Sequence, residues 1–416
     1  MKANLPFNRQ VNLSRLLFRY KLPYKCKLFV KFWLAIAIMA IILSGHSVLA
    51  QPDQNQEHPQ LQDPLIPKGY GKRELTSFEQ YRITKKVEEL AQTATQEIAQ
   101  GNIERGMQLW YRQLKLLRVL DRGREIVALG QVGAIAWREN RRQDVRQIAQ
   151  RLMNIESEND SNNKLPNQLS SKLAMAYREI RYLDKSITIY QQILLEQRKT
   201  SQVSSFQDTL VILGELYLAI FDYDNAETIY QELLANTNNP KAQEAYLITL
   251  KNIYHYNQKL ELAIATRNQL IQRYTKTPKS PLIPELQLAN ARDREQHQQT
   301  TIAIEDYQIT LKTALKHQQL EIATQALNSI ARIYQQQKNW QPAINSYQQL
   351  LALQNQANNY YGLINTYDTL GKLQLRLNRK AQAQTYLQQA LSLAQSLKYR
   401  VTYFQNQLEK IKQSQT

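Results

Sequence analysis

A small residue recurs in this chain at a nearly fixed interval, and that recurrence narrows the folds open to it. Ala343 lies in "NWQPAINSYQQLL" (339–351), four residues before Tyr347, and Ala226 lies in "FDYDNAETIYQELL" (221–234), four before Tyr230. Stepping back from Ala343 by 40, 40, 37, 40, 40 and 40 residues meets Ala303, Ala263, Ala226, Ser186, Arg146 and Gly106; stepping forward by 40 meets Ala383. Four residues after these anchors stand Trp110, Gln150, Tyr190, Tyr230, Arg267, Tyr307, Tyr347 and Leu387. Nine before them stand Glu97, Trp137, Tyr177, Tyr217, Tyr254, Arg294, Tyr334 and Gln374, and twelve before stand Ala94, Ala134, Ala174, Gly214, Lys251, Ala291, Ala331 and Gly371. Four columns held in one register predict about eight copies of one unit across residues 76–410, a repeat array running as one body.

Offsets of three and four residues put side chains on one face of a helix. A first helix would present a large residue, the small one of the twelve-before column, and an aromatic; a second would answer with the anchor and its aromatic, the small residues letting the backbones approach. Eleven Gly, twelve Pro and 43% apolar residues in 416 suit helices joined by short turns and disfavour a sheet-rich fold. The columns resemble the tetratricopeptide repeat, most closely at Leu210, Leu213, Gly214, Tyr217, Ala226, Tyr230 and at Leu327, Ile330, Ala331, Tyr334, Ala343, Tyr347. That resemblance implies an all-α, right-handed solenoid of antiparallel helix pairs that binds proteins and catalyses nothing. Here the period is 40 rather than the usual ~34, and the closing Pro of each unit is missing. The Tyr-to-Ala distance inside the unit is unchanged, so the extra residues are expected in longer helices or longer connections.

The first fifty residues read as an address. They hold eight Lys or Arg and no Asp or Glu, and twelve unbroken apolar residues run from Phe32 to Leu43 before Val48-Leu49-Ala50. Cations ahead of a short apolar run and small residues at its end describe a signal peptide cleaved after Ala50, or an uncleaved anchor through residues 32–50; both place the body of the chain outside the cytoplasm. Residues 51–75, rich in Gln and Pro, read as a flexible tether, and 411–416 as a tail. The sole cysteine, Cys26, precedes the apolar run, so the exported body would have no thiol. Of the +18 formal charge, +10 belongs to that body. Export makes a nucleic-acid partner an unlikely use for it, whereas an acidic protein, anionic lipid or glycan fits.

No catalytic motif stands out. His58, His255, His297 and His317 show no paired ligand spacing, and no Gly-rich phosphate loop or GxSxG elbow occurs, so neither metal nor cofactor is expected. "SENDSNNKLPNQ" (157–168) and "TKTPKSPLIPE" (275–285) are the evident breaks; Pro278, Pro281 and Pro284 read as ending one helix and starting the next, and alternatively as a polyproline ligand. Residues 399–413 read as a polar closing helix.

The resemblance implies a concave groove lined by first helices. Directly after the small column come Thr95, Ile135, Met175, Glu215, Asn252, Arg292, Arg332 and Lys372, the last three a basic row; four residues earlier come Leu288, Asn328 and Asp368. No Lys accompanies Asn there, so the family's carboxylate clamp is not expected. Arg292, Arg332, Lys372, Asn328 and Asn252 are the candidate ligand-binding residues, suited to an acidic or carboxylate-bearing segment. A solvated face is the competing account, because cations ~10 Å apart in water repel by only about 0.4 kcal/mol. A scaffold for peptides or partner subunits is the leading function, ahead of an all-helical enzyme or accessory subunit and of a peripheral protein resting on anionic lipid or glycan.

Overall fold

The computed structural model describes residues 63–68, 70, 73–158, 167–200 and 203–413. The signal segment, most of the tether and the core of the 157–168 break lie outside the described residues. The chain divides at Tyr70 into two units. In the first, the described residues form a turn in which Leu65 and Ile66 N–H donate to the Asp63 side chain and carbonyl at 3.0 and 2.9 Å.

The second unit is all-α among its described residues. Eight antiparallel pairs follow one another: α1 (Ser77–Ala99) with α2 (Ile103–Leu120), α3 (Arg122–Arg138) with α4 (Arg142–Ser157), α5 (Asn167–Glu179) with α6 (Leu183–Thr200), and α7 (Val203–Ala219) with α8 (Tyr223–Ala235). Then come α9 (Pro240–Tyr256) with α10 (Leu260–Tyr274), α11 (Ile283–Gln296) with α12 (Thr300–Lys316), α13 (Leu320–Gln336) with α14 (Trp340–Gln356), and α15 (Tyr360–Arg376) with α16 (Lys380–Ser396). A last helix, α17 (Val401–Gln413), has no partner of its own. The array starts on a capping box: the Thr76 hydroxyl accepts from Glu79 N–H while the Glu79 carboxylate accepts from Thr76 N–H, satisfying two donors a bare helix start leaves open.

The expected seam is present. Ala226, Ala263, Ala303, Ala343 and Ala383 are fully buried, as are Ala291 and Ala331 on the facing helices; Tyr177, Tyr190, Tyr217, Tyr230, Tyr254, Tyr307 and Tyr347 are buried, and Tyr334 packs half-buried against the same cores. Close approach explains the small residues. A Cβ added at Gly214 would meet the Tyr230 ring at 2.8 Å, one at Gly371 would meet Leu387 at 2.8 Å, and the Ser186 hydroxyl donates to the Ala174 carbonyl at 2.8 Å. Tyrosine hydroxyls close the seam with polar partners: Tyr307 donates to Glu295 and Tyr347 to Gln335, each at 2.8 Å, while Tyr217 and Tyr254 accept from Gln191 and Gln231 of the preceding pair.

One turn geometry joins the two helices of every pair. Its central residue is left-handed at Gly101, Asn140, Arg181, Phe221, Gln258, Gln298, Lys338 and Asn378. The amide after it returns to the carbonyl five residues back, as Asn339 does to Tyr334 at 2.9 Å, and its own amide reaches three back, as Lys338 does to Gln335 at 3.1 Å. This is a Schellman closure, so the nine-before column is the set of residues whose carbonyls receive that bond.

The turns also correct the register of the second pair. Each anchor lies five residues after a left-handed residue, which makes Val145 the anchor and not Arg146. Val145, Ala149, Ala136 and Gly133 are buried, whereas Arg146, Gln150 and Trp137 are exposed. The strides around this pair are therefore 41 and 39 residues, and an even stride of 40 slips off the helix face by one position.

The long period resides in the helices. From Thr300 onward α12 to α16 are each 17 residues, separated by three-residue connections. Connections between pairs there use the same turn, with left-handed Gln318, Asn358 and Lys398, so residues 298–398 repeat every 20 residues. Of the prolines between α10 and α11, Pro281 sits in a short 3₁₀ turn (Ser280–Leu282) and Pro284 in the first turn of α11, as helix punctuation. At the far end Phe404 and Ile411 of α17 are buried against Leu387, Ala390 and Ala394. The closing helix thus extends past residue 410 into the segment read as a tail.

Candidate protein-binding face

The five candidate residues fall on first helices of consecutive pairs, Asn252 on α9, Arg292 on α11, Asn328 and Arg332 on α13, and Lys372 on α15. Asn252, Arg292, Asn328 and Lys372 are exposed and Arg332 is half-exposed. Leu288 and Asp368, placed on the same stripe by spacing, are buried instead, so of the four-earlier row only Asn328 reaches the surface.

The basic row is not a row of free cations. Arg332 pairs with Glu295 of the preceding first helix at 2.5 Å, and Glu295 is held in turn by the Tyr307 hydroxyl. Lys372 donates to Asp368 at 3.0 Å one turn away on its own helix. Burial alone would push the Lys372 ammonium down, but its contacts with Tyr403 and Asp368 outweigh that and hold its pKa above the ordinary lysine value. Arg292 differs. It donates to the neutral amide of Gln325 on α13 at 2.8 Å, which orients the guanidinium without cancelling its charge. Asn252 accepts from Lys251 at 2.9 Å, and burial, aided by the Arg267 charge, lowers the Lys251 pKa.

Sequence reasoning missed the other half of this ladder. Arg178 on α5 pairs with Glu215 on α7 at 3.0 Å, and Asp368 accepts from Arg400, just ahead of α17, and from Tyr403 of α17, both at 3.0 Å. Arg178–Glu215 and Glu295–Arg332 are each 37 residues apart, three short of a period, and that recurring offset is the signal in the sequence that could have exposed them. The ladder ties neighbouring first helices into one polar surface, in which Arg292 keeps an uncompensated charge and Asn328 and Asn365 offer exposed amides.

Behind this face lies one buried ionic cluster. Arg267 occupies an aromatic position of the repeat, 5% exposed, and its guanidinium lies 2.7 Å from the Asp293 carboxylate, itself 4% exposed. That contact is ionic rather than a well-aligned hydrogen bond; the aligned bond goes from Arg267 to Asn290 at 3.0 Å. No group of three or more His, Cys, Asp or Glu among the described residues is arranged to hold a metal ion, and no described helix is long and apolar enough to cross a membrane.

Residues 209–244 and 322–396 match family models described as tetratricopeptide repeat. The chain contains tetratricopeptide repeats. The matched segments are those in which the small and aromatic columns are most regular, and the tetratricopeptide architecture extends on both sides of them with the same turns. No curated protein matches the chain in sequence. Among solved structures it is similar to aspartyl phosphate phosphatase F from Bacillus subtilis, at 13% identity over 69% of this chain and 79% of that one, with a TM-score of 0.37. The C-terminal part of a TPR repeat-containing protein from Cytophaga hutchinsonii aligns at 12% identity over 64% and 95%, TM-score 0.37. A tetratricopeptide repeat protein from Parabacteroides merdae aligns at 14% over 65% and 93%, TM-score 0.34. Likenesses this loose say nothing about what this tetratricopeptide array holds.

Proposed function

We propose that the protein is a non-catalytic scaffold outside the cytoplasm whose first-helix face holds a peptide segment or a partner subunit. The observation that carries this is the face itself: from α9 to α15 it offers a pre-formed surface bearing Asn252, Arg292, Asn328, Asn365 and Lys372. Side-chain amides there match the donors and acceptors of an extended main chain, and Arg292 supplies a charge for a carboxylate. Stacked repeats hold such a surface without ordering it on binding, which keeps the entropic cost of capture low. The eight leading cations and the apolar run support export, and residues 32–50 would remain as a membrane anchor if uncleaved.

The test is a photo-crosslinking amino acid at Asn328, compared in cells with the same group at exposed Ile309 on second helix α12, and the mature N-terminus read from the same sample. Discrete adducts at residue 328 alone, lost in the triple variant Arg292→Glu, Arg332→Glu, Lys372→Glu, are expected. Equal adducts at both positions, or capture unchanged by the triple reversal, would refute binding on this face, and residues 76–410 recovered in the cytoplasm would refute export.

A further inference from the structure

A cleft of about 470 Å³ opens at the turn between α3 and α4. Ala136, Trp137, Asn140, Arg141, Arg142, Val145, Arg146 and Tyr182 line it, Tyr182 coming from the equivalent turn of the next pair. Its size lies within the roughly 300–1,000 Å³ typical of ligand pockets. It is the place where the repeat slips by one residue. In the other well-formed pairs an aromatic of the nine-before column is turned into the seam; here Ala136 takes that position and Trp137 is left 54% exposed beside the cleft.

The charges there are as unusual as the tryptophan. The carboxylates of α2, α4 and the turn between α3 and α4 that lie beside it are engaged: Glu104 and Asp144 by Arg141, Asp144 also by the Tyr111 hydroxyl at 2.5 Å, and Glu139 by Arg138 at 3.6 Å. Arg141 is thereby fixed in place. Arg142 and Arg146 are exposed, and their guanidiniums make no hydrogen bond or ion pair among the described residues. They stand one turn apart on α4, where like charges disfavour each other, so the pair lowers helix stability slightly with no ion pair of its own to offset it. Two unpaired guanidiniums beside an indole and the apolar Val145 form a surface complementary to carboxylates next to an apolar side chain, and Trp and Arg are the side chains that most often dominate binding energy.

We propose that this cleft is a second docking site, for an acidic peptide segment: Arg142 and Arg146 take its carboxylates and Trp137, with Tyr182, takes a neighbouring apolar side chain. The site is recessed, which suits a chain segment entering it better than the flat surface of a lipid bilayer. It is separate from the stripe of α9 to α15, so it stands or falls independently of the function proposed above.

The experiment uses the full chain and a short fluorescein-labelled peptide, a Leu-Phe pair flanked on each side by Glu-Glu, followed by fluorescence anisotropy. A counterpart with Gln for every Glu is the charge control. Saturable binding is expected for the acidic peptide only, weakened at least tenfold by Arg142→Glu with Arg146→Glu, severalfold by Trp137→Ala, and unchanged by the triple reversal at Arg292, Arg332 and Lys372. Circular dichroism verifies folding, and Arg142→Gln with Arg146→Gln replaces the reversal should it fail to fold. Affinity within twofold of wild type in the arginine variants, equal binding of the Gln peptide, or loss confined to the stripe variant would each overturn the proposal. So would a failure to bind the peptide combined with arginine-dependent retention on phosphatidylcholine–phosphatidylserine vesicles, which would make the cleft a lipid contact.

Discussion

Arg267 and Asp293 show how a single position can leave the repeat pattern without breaking the fold. An arginine in an aromatic column is an intruder by its size and charge, and the chain answers with an acid on the facing helix, both more than nine-tenths buried. Neither partner reads as important alone, because they sit 26 residues apart and only the stacking of two pairs joins them. Removing one leaves a buried charge uncompensated, so Asp293→Ala is expected to destabilise the array by about 3–5 kcal/mol. Arg267→Tyr combined with Asp293→Ala restores the apolar seam and should recover most of that loss in urea denaturation. A double variant as unstable as the single one would show that the pair is not the reason for the departure.

At the scale of helices and turns, the sequence was legible where residue size is decisive. Ala303, Ala343 and Ala383 mark the seam because nothing larger fits between two backbones. The second pair was not legible for a related reason. Gly133, Ala134 and Ala136 are all small, and an even stride falls among them with nothing to choose the face. The choice is made by the left-handed residue of the turn, and most of these turns use Asn, Gln, Lys, Arg or Phe in place of the glycine that would have announced it. The left-handed region costs a residue with a Cβ on the order of 1 kcal/mol. Lys338 is exposed and has φ 60, so Lys338→Gly should raise stability by up to about 1 kcal/mol, whereas the β-branched Lys338→Val should lower it by at least as much. Chemical denaturation midpoints of the two variants check both signs.

For the molecule as a whole, stability is a sum over neighbours, and damage is expected to spread only as far as the contacts reach. Ala343→Asp overpacks the α13–α14 seam and buries a charge without a partner, at a cost of about 3–5 kcal/mol. Hydrogen exchange should quicken from α13 through α17 while α1 to α6 keep their protection; uniform loss along the chain would mean that the array unfolds as one block. The candidate faces were less legible than the scaffold. Spacing placed Arg292, Arg332 and Lys372 on one stripe, but the partners of Arg292 and Arg332 lie 33 and 37 residues away on other helices, where no local pattern names them. Trp137 and Arg146, which by register belonged to the seam, prove to be surface residues for the same reason that the second pair was misplaced.

The 20-residue turn spacing from Gln298 to Lys398 has a consequence for how such a chain can change in length. When both kinds of connection are alike and all helices are equally long, the backbone no longer distinguishes first helices from second ones. The array has a reading frame of two helices, and only side chains such as Glu295, Arg332 and Asp368 keep it. Loss or gain of a single 20-residue segment would leave every turn and every helix intact downstream while exchanging the two faces, so that a binding surface would become a back without any residue in it having changed.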